Sequence, residues 1–80
     1  MDTDTVRQKI IADIPDAQVM VEGEDCSFTV TVVSEQFKGK LPVARQKMVM
    51  APFKDALATG ELHALSVKAV TPDEQRAVVA

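Results

Sequence analysis

The 80-residue sequence predicts a single α+β domain, spanning residues 1–80, in which a mixed three-stranded sheet carries helices packed on one face. Three observations lead there. Apolar residues recur at helical spacing near the N-terminus and again over residues 42–59, whereas residues 17–22, 28–34 and 62–70 alternate as strands do. A helix-start signal follows the last alternating stretch. The element order is therefore α-β-β-α-β-α. The first two strands are close enough for an antiparallel hairpin, and the helix before the third allows that strand to pair in parallel.

From Asp4 to Ile14 the apolar residues are Val6, Ile10, Ile11 and Ile14, with Thr3 or Asp4 placed to cap the free amides of the first turn. Pro15 ends this helix. Val19 and Val21 then face one side of an extended segment and Met20 the other, and Gly23 to Ser27 supply a polar turn. In the second strand, Phe28 to Ser34, the residues Phe28, Val30 and Val32 share a face opposite Thr29, Thr31 and Val33. Glu35 to Leu41 reads as a loop, and Pro42 suits the first turn of a second helix running to about Thr59. Its stripe of Val43, Val49, Met50, Phe53, Ala56 and Leu57 is expected to cover the sheet, with Gly60 as its C-terminal cap. Leu62 to Val70 forms the third strand, with His63, Leu65, Val67 and Ala69 on one face and Leu62, Ala64, Ser66 and Lys68 on the other. Thr71-Pro72-Asp73-Glu74 is a capping-box pattern that starts a short terminal helix.

Composition narrows the function. The only aromatic residues are Phe28, Phe37 and Phe53, so the core is aliphatic and stacking platforms for bases or sugars are scarce. One cysteine cannot form an internal disulfide, and Asp2 and Asp4 replace the basic start of a signal peptide, so a reducing, cytoplasmic setting is expected. No apolar run approaches the roughly 20 residues of a membrane-spanning helix, and no membrane association is expected. A catalyst is not expected either: one histidine and one cysteine stand without a positioned base, and no glycine-rich phosphate loop occurs. Met48 and Met50 read as core or core-edge residues rather than metal ligands. The net charge of −3 is unevenly placed, with Asp13, Asp16, Glu22, Glu24 and Asp25 early and Lys38, Lys40, Arg45, Lys47 and Lys54 following. These cations are either a locally basic face or ordinary solvated positions.

Three stretches carry a family likeness: Val33-Ser34-Glu35-Gln36-Phe37-Lys38-Gly39-Lys40, Val43-Ala44-Arg45-Gln46-Lys47-Met48-Val49, and His63-Ala64-Leu65-Ser66-Val67-Lys68 followed by Thr71-Pro72. Together they resemble the BolA family over about residues 6 to 74, closest to its short IbaG-like members. Any one of these motifs alone would be weak; three in order at matching spacing are specific. The resemblance implies a BolA-like fold, similar to the class II KH domain. It also implies a monothiol glutaredoxin as partner and a 2Fe–2S cluster shared with that glutaredoxin and glutathione, with none expected in the isolated domain. His63 matches the family's histidine ligand. Two departures stand out: Gln75 occupies the place of a common family tryptophan, and Ser27 that of a histidine found before the strand phenylalanine in IbaG-like relatives.

Cys26, one residue before Ser27, is a second candidate ligand by chemical type, since thiolates commonly hold iron–sulfur clusters. Its neighbours Glu24 and Asp25 do not favour a thiolate. An alternative function is DNA binding by a transcriptional stress regulator, with Lys38, Lys40, Arg45 and Lys47 on phosphates. The KH-like scaffold suggests it, although Lys38-Gly39-Lys40-Leu41 lacks the second glycine of a GXXG clamp. The free protein is expected to be a monomer, with a homodimer as the alternative.

Overall fold

Asp2, rather than Thr3 or Asp4, starts the first helix. Its carboxylate accepts the Thr5 N–H at 2.8 Å, which relieves one orphan amide of the opening turn of α1, Thr3–Asp13. The computed structural model describes residues 2–24 and 27–79. Val6, Ile10 and Ile14 recur every fourth residue along α1, so one stripe is buried while Ile11 stays at the surface.

The strands are β1, Gln18–Glu24; β2, Ser27–Val33; and β3, Ala64–Val70, in the sheet order β1-β2-β3. β1 and β2 pair antiparallel, β2 and β3 in parallel. The hairpin connection is shorter than the sequence suggests, because Gly23 and Glu24 still pair with Phe28 and Ser27. Gly23 is required there: its φ is +116°, and a Cβ would collide with the Ser27 carbonyl oxygen.

Phe28, Val30 and Val32 point into the core, as their alternation predicts, and Leu65 joins them from β3. Val33 faces the other way and is still only 6% exposed. It lines a cavity of about 230 Å³ with Asp16, Gln18, Pro72 and Gln75, so the start of the terminal helix α4, Pro72–Val79, shelters that end of the outer face.

Between β2 and β3 the chain departs from the expected loop and single helix. Glu35–Phe37 forms a 3-10 turn that buries Phe37 completely. Instead of one helix to Thr59 there are α2, Pro42–Met50, a 3-10 turn at Ala51–Phe53, and α3, Lys54–Thr59. Pro52 explains the break: it has no N–H to donate, and its ring would strike the carbonyl four residues back in a continuous helix. The break splits the expected apolar stripe. Val49, Phe53 and Ala56 enter the core, Met48, Met50 and Leu57 pack at its edge, and Val43 is 64% exposed.

Gly60 closes α3 in the left-handed conformation, φ +83°. The chain then bends, and the Leu62 N–H donates to the Ala56 carbonyl at 3.0 Å. Leu62 is consequently a fully buried core residue and not an outward strand residue, and β3 begins two positions later than expected. No helix among the described residues is long and apolar enough to cross a membrane.

The fully buried Phe37 fills a space that alanine cannot. Phe37→Ala should lower unfolding free energy by about 3–5 kcal/mol. Leu41→Ala, at a position 77% exposed, should change it by less than about 0.5 kcal/mol. Urea denaturation of both variants checks the contrast, and equal losses would contradict this assignment of the core.

Candidate functional site

His63 stands between the α3 cap and β3, and its side chain is exposed. The next residue, Ala64, pairs with Ser27, the first residue of β2, so the imidazole belongs to the sheet end where β2 begins. A Cβ placed on Gly60 would lie 4.0 Å from His63 Nε2, which puts the ring beside the open turn after α3. The burial of Leu62 beneath it anchors this position.

Cys26, the other proposed ligand, lies outside the described residues. Among the described residues no group of three or more His, Cys, Asp or Glu side chains is placed to hold a metal ion. His63 is thus a single accessible nitrogen donor. Among the described residues this donor cannot by itself hold an iron–sulfur cluster.

The four basic residues named from the sequence separate into two kinds. Lys38, Lys40 and Lys47 are exposed. Arg45 is not an outward phosphate ligand, for its side chain is only 12% exposed and its donors are engaged. Nε donates to the Lys40 carbonyl at 2.9 Å, and one terminal nitrogen reaches the Ala69 carbonyl at 3.2 Å. The guanidinium also grips both carboxylate oxygens of Glu74, at 2.6 and 3.2 Å.

Glu74 has a second duty. The Thr71 N–H donates to Glu74 Oε1 at 2.9 Å, and the Glu74 N–H donates to Thr71 Oγ1 at 3.2 Å, the reciprocal pair expected of a capping box. The Arg45 guanidinium, followed by the Thr71 amide, pulls the Glu74 carboxyl down to about 2.

Another carboxylate clasp escaped sequence reading. Asp16 accepts the Ser34 hydroxyl at 2.8 and 2.9 Å, the Glu35 N–H at 3.1 Å and the Gln36 side-chain amide at 2.9 Å. These bonds, led by Ser34, hold its carboxyl below the usual range. They tie the α1–β1 connection to the end of β2. The signal available was local only: Ser34-Glu35-Gln36 looks like a turn start, but nothing pairs it with an aspartate 18 positions earlier.

A mixed three-stranded sheet with helices, one exposed imidazole at a sheet end and polar clasps at the other, defines a small α+β domain. Comparisons with known proteins sharpen that class. Residues 7–74 match the family model described as BolA-like protein. An uncharacterized protein from the rpoN-murA intergenic region of Acinetobacter guillouiae is 40% identical over 95% of this chain and 92% of its own length. The acid stress protein IbaG of Escherichia coli is 39% identical over 71% of this chain and 68% of its own. A protein of Vibrio cholerae named as the DNA-binding transcriptional regulator BolA is 44% identical over 65% of this chain and 48% of its own. Among solved structures, a BolA homologue from Coxiella burnetii superposes with a TM-score of 0.80 at 27% identity, covering 95% of this chain and 97% of the other. The chain belongs to the BolA family.

The Arg45–Glu74 pair makes stability depend on acid. A carboxyl whose folded value is about 2, against an ordinary 4.5, contributes stability that is complete above about pH 4.5 and lost as pH falls toward 2. Glu74→Gln should therefore lower stability near neutral pH and flatten its decline on acidification, with Asp2 and Asp16 supplying the residual slope. Urea midpoints measured at several pH values between about 6 and 2.5 test this. A slope unchanged from the parent protein would sink it.

Proposed function

We propose that this chain is a non-enzymatic adaptor that binds a monothiol glutaredoxin and contributes His63 to a shared 2Fe–2S cluster, in cluster assembly, transfer or iron and stress sensing. The observation that carries the reading is the exposed imidazole at the head of β3, anchored from below by Leu62 and open on the Gly60 side. A neutral imidazole offers a lone pair to iron, and histidine replaces cysteine at one iron in some clusters. The glutaredoxin cysteine and glutathione would complete the other iron. Cys26 is the candidate for a second ligand on this chain, on chemical type. The isolated domain is then a colourless monomer, and the setting is the cytoplasm, where a lone thiol stays reduced.

Mixing the protein with a cluster-loaded monothiol glutaredoxin should change the visible absorption and circular dichroism. His63→Ala should remove most of that change, and Cys26→Ser shows whether the thiol takes part. Spectra that stay the same on mixing, for parent and His63→Ala protein alike, would end this reading.

A second reading is DNA binding, which the exposed Lys38, Lys40 and Lys47 favour. The name of the Vibrio cholerae relative supports it. Neutralising Lys38 and Lys40 together should reduce the slope of log affinity against log salt by about 2, as expected for two lost phosphate contacts. Fluorescence anisotropy with a duplex at several salt concentrations measures it. An unaltered slope, or no binding at low salt, would rule the reading out.

A further inference from the structure

The helical crossover carries an apolar depression at the edge of the core. Val43 and Met50 of α2, Ala51 of the 3-10 turn and Leu57 of α3 form its floor, and Lys47 and Lys54 stand at its rim. Its volume is about 580 Å³, within the range of pockets that bind ligands.

Three properties narrow the occupant. The lining residues come from both sides of the Pro52 break, so the depression spans α2, the 3-10 turn and α3. Its surface is mainly apolar, which suits side-chain anchors better than a sugar-phosphate chain, and no aromatic residue lines it to stack a base. The charged residues lining it are two lysines and no carboxylate, although the whole chain carries −3. That local inversion is complementary to an acidic partner.

We infer that this depression docks a short amphipathic segment of a partner protein, one that sets apolar anchors on the floor and Asp or Glu residues against Lys47 and Lys54. Anchors at helical spacing would meet the floor in the helix-in-groove manner. The lysines would orient the segment and accelerate its approach, and salt would weaken binding through them. His63 does not line the depression, so the inference stands apart from the shared-cluster reading.

The test is selection of displayed random peptides on the full-length protein, followed by amide chemical-shift mapping of the enriched peptides on the isotope-labelled chain. Enriched sequences should combine apolar anchors with acidic residues, and their shifts should centre on Val43, Lys47, Met50, Lys54 and Leu57. Lys47→Glu with Lys54→Glu should weaken them about tenfold or more, and Val43→Asp likewise. All three substituted positions are exposed, so the variants should stay folded. A peptide carrying lysine in place of its acidic residues should regain binding to the Lys47→Glu, Lys54→Glu protein. His63→Ala should leave peptide affinity unchanged even where it abolishes the cluster spectrum, so failure of either reading is separable from the other. Enrichment without acidic residues overturns the inference, as does affinity indifferent to the charge reversal. The same holds if duplex DNA, decanoate or self-association shifts these amides while no peptide does.

Discussion

The parallel pairing of β2 with β3 is the constraint from which the rest of the molecule follows. Seven residue pairs, from Ser27↔Ala64 to Val33↔Val70, run in one direction, and parallel neighbours cannot be joined by a tight turn. The chain must return from the Val33 end to the Ser27 end before β3 can begin. That return is the helical segment from Pro42 to Thr59, and it must bury a face because it crosses the core side of the sheet. His63 is consequently fixed at one end of the sheet and Thr71 at the other, which separates the exposed imidazole from the polar clasps by the length of the strands.

The Thr71 end is held by charge and hydrogen bonds more than by apolar contact. α4 starts on a capping box whose glutamate is shared with Arg45, and Arg45 also reaches the β3 carbonyl of Ala69 and the Lys40 carbonyl before α2. One planar guanidinium thereby joins α4, the last strand and the entry to the crossover helix. Lysine could not replace it, since an ammonium lacks the fork that matches a carboxylate on two oxygens. At the same end, Asp16 joins the α1 exit to Ser34 and the following turn. The sheet is thus closed by two carboxylate clasps where β2 and β3 finish, and the exposed His63 stands where they begin.

Elements governed by neighbours in sequence were legible before the structure. Alternation assigned Phe28, Val30 and Val32 to the core, Gly60 marked a helix end, and Thr71 with Glu74 announced the last helix. The family could be read too, because its motifs are local strings in fixed order, and residues 7–74 do match it. What escaped depends on distant partners or on bends. Arg45 looked like a surface cation because Glu74 is 29 residues away, and Asp16 gave no hint of Ser34. Leu62 was placed on the face opposite Leu65 by a two-residue period that does not apply in the bend before β3, and both residues are buried. For His63 the structure shows position and exposure, which a lone histidine in the sequence did not announce by itself.

The single helix expected to about Thr59 is the misreading with the widest consequences, and geometry explains why a break at Pro52 is useful. A straight helix over residues 42–59 would extend about 27 Å, whereas a seven-residue strand covers about 23 Å. The crossover has to come back onto β3 within the strand's length and still bury Phe53 and Leu62. The 3-10 turn at Ala51–Phe53 interrupts the helix between its two ends and keeps Phe53 in the core. Val49, Phe53 and Ala56 complete the core, and Met50 and Leu57 at its edge line a depression together with the exposed Val43. The turn that contains this proline therefore lies between Met50 and Leu57, which pack at the core edge and also line the depression shared with Lys47 and Lys54, so the interior packing and this surface use the same side chains.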